Sequence, residues 1–133
     1  MPKFGRKSRE RLATCDERLQ KIFNEVVKTY DCTVTCGYRG EEDQNKAFDE
    51  KRSKVKYPHG RHNQNPSKAV DVYPYPINFK NFDRMMHFAG FVIGIAKSMG
   101  IELIWGRDWH SEWYLKDSNR TTFKDYPHFE IKE

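Results

Sequence analysis

The stretch "RHNQNPSKAVDVYPYP", residues 61–76, predicts where a loop gives way to a buried strand. Its first half is rich in Asn, Pro and Ser, which favour turns. Its second half is a short apolar run ended by prolines, which cannot donate hydrogen bonds to a neighbouring strand. Asp71 lies between Val70 and Val72, where a strand would bury it. A buried carboxylate needs a cation, a hydrogen-bond network or a metal ion as compensation.

The spacing of apolar residues outward from this stretch predicts the other elements. The predicted helices cover residues 15–29, 41–52 and 81–100, and the predicted strands cover 32–36, 69–76, 101–105 and 127–132. Thr14 and Glu17 are expected to form a capping box at the first helix. Because helices and strands do not alternate regularly, we expect an α+β fold with a small, mainly antiparallel sheet and flanking helices. No repeat or linker divides the chain, so we expect one domain over residues 1–133.

Two long irregular segments, residues 51–68 and 106–125, connect the predicted elements. Long loops inside a small domain are often functional. The tryptophans and tyrosines in and beside the second loop could either line a groove or belong to the core.

Composition and charge limit the partners of the chain. An aromatic content of 14% predicts a packed core, and a net charge of +5 suits a polyanion such as nucleic acid, an anionic cell wall or a membrane surface. The basic N-terminus lacks the apolar core of a signal peptide, and no apolar run approaches the roughly 20 residues of a membrane span. We therefore expect synthesis in the cytoplasm and no transmembrane segment.

The three cysteines, Cys15, Cys32 and Cys36, are too few and too badly spaced for a disulfide framework. Cys32 and Cys36 lie about 13 Å apart if "CTVTC" is a strand, which is too far for a bridge. Free thiols are typical of a reducing compartment.

Histidine and aspartate residues provide candidate metal ligands. A catalytic zinc ion takes three protein ligands, and His62, Asp71 and His128 could supply them. The alternative is that Asp71 forms a local salt bridge and that the histidines lie on surface loops. His59 is three residues before His62 and stays open as a competing ligand. His87, on an apolar helix, is expected to be structural.

Three further residues have side chains suited to catalysis. Asp125 precedes His128 by three residues and could act as a general base on a metal-activated water, or it is a turn residue. Glu130 shares the strand face of His128 and is a candidate partner for that histidine. Arg39 follows a strand end, where it could bind a carboxylate or an oxyanion, or simply add surface charge.

Four motifs, in order, resemble the M15 zinc peptidases across roughly residues 8–131. They are "GYRGEEDQ" (37–44), "RHNQNPSKAVDVYPYP" (61–76), "WGRDW" (105–109) and "DYPHFEI" (125–131). The resemblance is strongest to the L-alanyl-D-glutamate endopeptidases that bacteriophages use as endolysins, and D-alanyl-D-alanine carboxypeptidases and dipeptidases are more distant. It implies the small α+β fold shared with Hedgehog-type domains.

The resemblance also implies the site. His62, Asp71 and His128 would bind zinc, Asp125 would be the catalytic acid and base, and Arg39 would steady the substrate carbonyl or oxyanion. The nine-position separation between His62 and Asp71 is longer than in the commonest form of the motif. His62 is favoured over His59 because an asparagine follows it directly.

The function implied is zinc-dependent hydrolysis of the L-alanyl-D-glutamate bond in bacterial cell-wall stem peptides. The protein would be a monomeric endolysin, made in the host cytoplasm without a signal peptide and acting on the wall after release. One alternative is a D-alanyl-D-alanine carboxypeptidase of the same fold. Two others are a basic, nucleic-acid-associated protein and a catalytically silent module that captures peptide termini. The ordered set of ligands and acid disfavours the last two, so we expect no nucleic-acid partner.

Overall fold

A four-stranded antiparallel sheet lies at the centre of the computed structural model, which describes residues 1–133. The strands are β1 (Cys32–Cys36), β2 (Ala69–Pro74), β3 (Leu103–Trp105) and β4 (His128–Ile131), in the spatial order β1-β2-β4-β3. The helices are α1 (Arg6–Leu12), α2 (Glu17–Thr29), α3 (Glu41–Asp49), α4 (Phe82–Ser98) and α5 (Glu112–Lys116). The predicted α+β class with a small antiparallel sheet is confirmed.

Helices α2 and α4 pack on each other and cover one face of the sheet. Phe23 of α2 meets Phe129 of β4 edge to face, with ring centroids 5.5 Å apart, and Phe88 of α4 lies 6.3 Å from the same ring. All three side chains are fully buried. Burial of each such side chain contributes about 1.5–3 kcal/mol, so these aromatic contacts fix the sheet against the helices.

Strand alternation explains the position of Asp71. Val70 and Val72 point into the helix-covered core and are no more than 1% exposed. Because successive side chains of a strand point to opposite faces, Asp71 points to the other face of the sheet. Asp71 pairs with His128 on β4, and a β-bulge in β1 places Cys36 opposite Asp71 on the other side. The sheet therefore gathers a carboxylate, an imidazole and a thiol on its second face.

The start of α2 differs from the sequence prediction. The capping box of Thr14 and Glu17 is wrong, because Asp16 is the N-cap and accepts a 2.9 Å hydrogen bond from the backbone N–H of Arg18. Asp16 is also a carboxylate at the positive end of the helix dipole, which strengthens this cap. The Thr14 hydroxyl instead joins α1 to the segment after β1, since it donates a hydrogen bond to the Arg11 carbonyl and accepts one from the Tyr38 backbone N–H.

Substitution of Asp16 by Ala should lower the free energy of unfolding by about 1 kcal/mol at neutral pH. The contacts of Asp16 with Arg18 and Lys68 hold the pKa of its carboxyl well below the ordinary value of 3.8. A group with a lowered folded-state pKa stabilises the protein above its unfolded-state pKa, and this contribution is lost as the pH falls below it. Urea unfolding of both proteins at pH 7 and near pH 3 measures this effect. A difference that does not shrink at the lower pH would contradict the role of the charge.

Several local features were not predicted. Helices α1 and α5 are short, and α1 buries only Ser8 and Leu12, so neither produces a strong periodic pattern. The long segment before β2 is irregular, as expected, except for one 3-10 turn at Arg61–Asn63. None of the helices combines the length and apolar character needed to cross a membrane.

All three cysteines are free. Burial raises the pKa of the Cys15 and Cys32 thiols to about 12, so both act as small apolar side chains.

Candidate metal and catalytic site

The carboxylate of Asp71 is the centre of the candidate site. The Nε2 atom of His62 lies 3.2 Å from Oδ1 of Asp71, and the Nδ1 atom of His128 lies 3.4 Å from the same oxygen. The two imidazole rings are 5.2 Å apart between centroids. Asp71 is 13% exposed, and both histidine side chains are more deeply buried. The structure thus brings together the three residues that the sequence indicates as metal ligands.

A tight turn at Gly60 orients His62. The Nδ1 atom of His62 lies 2.8 Å from the carbonyl oxygen of Gly37, which leaves Nε2 of the same ring facing Asp71. A Cβ atom at Gly60 would lie only 2.7 Å from Oδ1 of Asn63 and 3.0 Å from Oε1 of Gln44. A side chain there would displace this network, so glycine allows the close approach of the loop to Gln44 of α3.

His59 does not reach this centre. Its side chain is exposed and borders the adjacent cavity, so His62 is the histidine beside Asp71. The thiol of Cys36 is there instead, with its Sγ atom 3.8 Å from Nδ1 of His62. Burial opposes the thiolate of Cys36, but the hydrogen bond and charge of His62, together with the charge of Arg39, outweigh it and lower the pKa of the thiol. Nothing in the sequence indicates this neighbour, because only the β-bulge turns Cys36 toward Asp71.

Asp125 lies beside His128. Its Oδ2 atom is 3.8 Å from Nδ1 of His128, and its side chain is 25% exposed. Burial, and then the negative charge of Asp71, raise the pKa of Asp125 to about 6. A carboxyl with a pKa near neutrality can both take and return a proton, which is what a general acid and base requires.

Gly106 fixes the backbone around Asp125. Its carbonyl accepts a 2.8 Å hydrogen bond from the Asp125 backbone N–H, and its own N–H donates to the carbonyl of His128. A Cβ atom at Gly106 would lie 2.8 Å from Cβ of His128. The "WGRDW" segment therefore packs directly against the turn that carries Asp125 and His128.

Arg39 contacts the carboxylate oxygen of Asp71 that the histidines do not contact. Its Nη2 atom is 3.5 Å from Oδ2 of Asp71, and Nη1 donates a 3.1 Å hydrogen bond to Gln44. Gln44 is fully buried and also accepts from Asn63, whose side-chain amide donates to the backbone of Arg39 as well. Gln44 was not identified from the sequence, since an isolated glutamine in a polar helix carries no signal of its burial.

The electrostatics of the centre favour a cation. Burial alone would raise the pKa of Asp71, but His62 and His128 outweigh it and keep that pKa well below its ordinary range. Burial disfavours charged imidazoles, yet the contacts with Asp71 raise the pKa of His62 to about 10 and that of His128 to about 9. A buried carboxylate with this demand for positive charge, flanked by two imidazole nitrogens, fits zinc by donor type and number. The two clusters Cys36–His62–Asp71 and Asp71–Asp125–His128 each hold their donor atoms within 4.8 Å.

Two cavities meet at the candidate site, with volumes of about 390 and 640 Å³. Both are lined by Arg39 and Asp125, so a chain could extend to either side of these residues. Trp109 forms part of the wall of the smaller cavity, where its ring lies 5.0 Å from that of His128. The arrangement is a groove with a candidate metal centre and a proton-transfer group at its middle.

The fold is that of a known bacterial peptidase. The structure is similar to the crystal structure of the L-Ala D-Glu endopeptidase ChiX of Serratia marcescens, with a TM-score of 0.75 and 23% sequence identity over 98% of this chain and 90% of that one. The family model of the phage L-alanyl-D-glutamate peptidases matches residues 1–132, and the chain belongs to that family. No curated protein matches the chain. The resemblance identified from the four sequence motifs is confirmed.

Proposed function

We propose that the protein is a zinc-dependent peptidoglycan endopeptidase that hydrolyses the L-alanyl-D-glutamate bond of bacterial stem peptides. The observation that carries the proposal is the convergence of His62 and His128 on one oxygen of Asp71, with Asp125 beside them. Membership of the phage peptidase family supports the substrate. The protein would act as a monomeric endolysin, as one domain over residues 1–133, on the wall after its release from the host cytoplasm.

His62, Asp71 and His128 would hold the zinc ion. Zinc, when bound in such a site, polarises a carbonyl and lowers the pKa of water toward about 7. The charge of the zinc ion would also compensate the buried carboxylate of Asp71, which needs a positive partner at this position in the strand.

Asp125 would move the proton. As water attacks the scissile carbonyl, the Asp125 carboxylate takes a proton from the water. The resulting carboxyl group then gives that proton to the leaving nitrogen. The pKa of about 6 suits both steps near neutral pH. Asp125 lines both cavities, so its carboxylate would lie beside an extended substrate.

Arg39 would stabilise the negative charge that develops on the carbonyl oxygen. Its guanidinium is held by Gln44 and Asp71, so little reorganisation is needed when that charge appears. Arg39 also lines both cavities and can therefore face a substrate bound in either direction.

The groove favours cleavage within a chain over removal of a terminal residue. A carboxypeptidase needs a pocket closed behind the terminal carboxylate, whereas an endopeptidase needs space on both sides of the scissile bond. The two cavities that meet at Arg39 and Asp125 provide that space. A D-alanyl-D-alanine carboxypeptidase is accordingly the second candidate.

Digestion of purified peptidoglycan, with and without a zinc chelator, tests the proposed function. We expect new free amino groups to accumulate with the zinc-loaded protein, to stop forming after chelation, and to resume when zinc is restored. Double-stranded DNA incubated in parallel should remain intact. Release of amino groups that is indifferent to the chelator would contradict a zinc-dependent reaction.

Lysis of bacterial walls should fall several-fold between low salt and about 1 M salt, since the Debye length shrinks to about 3 Å. Lys46, Lys51, Lys54 and Lys124 line the two cavities, and no carboxylate lies within ion-pair distance of them. Attraction to an anionic envelope through such side chains is screened by salt. Turbidity of a wall suspension, followed at increasing sodium chloride, measures the effect.

The variant Lys124→Gln should weaken this salt dependence, whereas Lys21→Gln, on the exposed surface of α2, should leave it unchanged. Activity that stays flat from low to high salt would show that the basic lining does not attract the substrate.

A further inference from the structure

Glu130 holds the ring of His128 from the side opposite Asp71. Its Oε1 atom lies 2.8 Å from Nε2 of His128, while Nδ1 of the same ring faces Asp71 at 3.4 Å. The Glu130 side chain is only 12% exposed. When the ring is neutral, as a metal ligand must be, a hydrogen bond from Nε2–H to Glu130 leaves the lone pair on Nδ1, the nitrogen on the Asp71 side.

Arg61 connects Glu130 to the loop that carries His62. Its Nε atom lies 3.5 Å from Oε2 of Glu130, and its Nη2 atom donates a 2.7 Å hydrogen bond to the carbonyl of Ile131. The Arg61 Nε atom is buried and makes no hydrogen bond, so Glu130 provides its electrostatic compensation. Arg61 directly precedes His62 in the chain, which means that one side chain bridges the two histidine-bearing segments.

Backbone hydrogen bonds close the base of the same loop. The N–H of Lys68 donates to the carbonyl of Arg61 at 3.1 Å, and the N–H of Ile131 donates to the carbonyl of Lys68 at 3.0 Å. The segment between His62 and Asp71 is therefore not a free loop. Arg61 and Lys68 are hydrogen-bonded to each other, and both are hydrogen-bonded to Ile131 of β4.

We propose that Arg61 and Glu130 are positioning residues that hold His62 and His128 on one metal ion. The inference rests on the proposed zinc site and deepens it. Glu130 selects the ring nitrogen that His128 presents, and Arg61 fixes the distance between the His62 loop and β4. Neither side chain is assigned contact with the ion.

Zinc affinity, measured by competition with a chromogenic chelator, tests this role without any substrate. Glu130→Ala should weaken zinc binding about 10–100-fold. Glu130→Gln should lose less, because its amide oxygen can still accept the hydrogen bond from His128 Nε2–H. Arg61→Ala should weaken binding several-fold, with partial recovery in Arg61→Lys. Glu102→Ala, which removes an exposed ion pair with Lys97, is the matched control and should bind zinc as wild type does.

Nitrogen NMR of the zinc-loaded protein supplies a second readout that a merely structural role would not move. The His128 ring should carry its proton on Nε2 in the wild type, and this signal should lose its protection from exchange in Glu130→Ala. If Glu130→Ala does not fold, the Glu130→Gln and Arg61→Ala affinities carry the test. Wild-type affinity in the folded variants, or a proton on Nδ1 of zinc-bound His128, would overturn the inference.

The same experiment separates this inference from the proposed function. A wild-type protein that binds zinc but cleaves no peptidoglycan would overturn only the proposed function. Equal zinc affinity in wild type and variants would overturn only the positioning role. A wild-type protein that binds no zinc would overturn both.

Discussion

Replacing Asp125 by Asn should reduce the rate of peptide-bond cleavage about 10²–10⁴-fold while the protein keeps its zinc. The amide is close in shape to the carboxylate but cannot take a proton from water. The Asp125 Oδ2 atom lies 3.8 Å from the nearest nitrogen of His128, so the substitution changes a neighbour of the proposed ligand set. Initial rates on purified peptidoglycan, together with elemental analysis for zinc, measure the two properties separately.

Asp49→Asn is the matched control for this substitution. Asp49 is an exposed residue at the end of α3 and lines neither cavity, so its variant should retain the wild-type rate. Equal rates for Asp125→Asn and wild type would remove Asp125 from the mechanism. Loss of zinc together with activity would instead make it a ligand.

Three single substitutions to Ala, at His62, Asp71 or His128, should each reduce the zinc content from about one ion per chain to near zero. The reason is that a catalytic zinc site has only three protein ligands and the loss of one leaves too few. Asp71 is the most sensitive position, because both histidines face its Oδ1 atom. Elemental analysis after dialysis against a weak chelator provides the measurement.

His59→Ala is the control that decides between the two histidines of the loop. His59 is exposed and lies at the cavity border, so this variant should bind zinc fully. The pattern would be contradicted if His59→Ala lost its zinc or if His62→Ala retained it.

The position of Asp71 was predictable because strand alternation is a local rule. A carboxylate between two core valines must point to the opposite face, and the sequence shows both valines. The three-residue spacing of Asp125 and His128 is likewise local, and a turn keeps both side chains near the same end of β4. These two short segments therefore contain much of the candidate site.

Other features depend on contacts between distant segments, which single-sequence patterns do not record. Cys36 faces Asp71 only because β1 contains a bulge. Gln44 and Arg61 gain their roles from partners 19 and 70 residues away in the chain. The true helix cap, Asp16, lies two residues after the predicted Thr14, and one of its contacts is a hydrogen bond from Lys68, 52 residues away in the chain. The features that the sequence did not predict are thus those that depend on contacts between segments far apart in the chain.

Mass spectrometry of purified peptidoglycan after digestion by the zinc-loaded protein identifies the bond that is cut. We predict fragments that end in L-alanine on one side of the cut and begin with D-glutamate on the other, and we expect Asp125→Asn to form them about 10²–10⁴-fold more slowly. Release of terminal D-alanine, or intact stem peptides in the presence of bound zinc, would contradict this prediction.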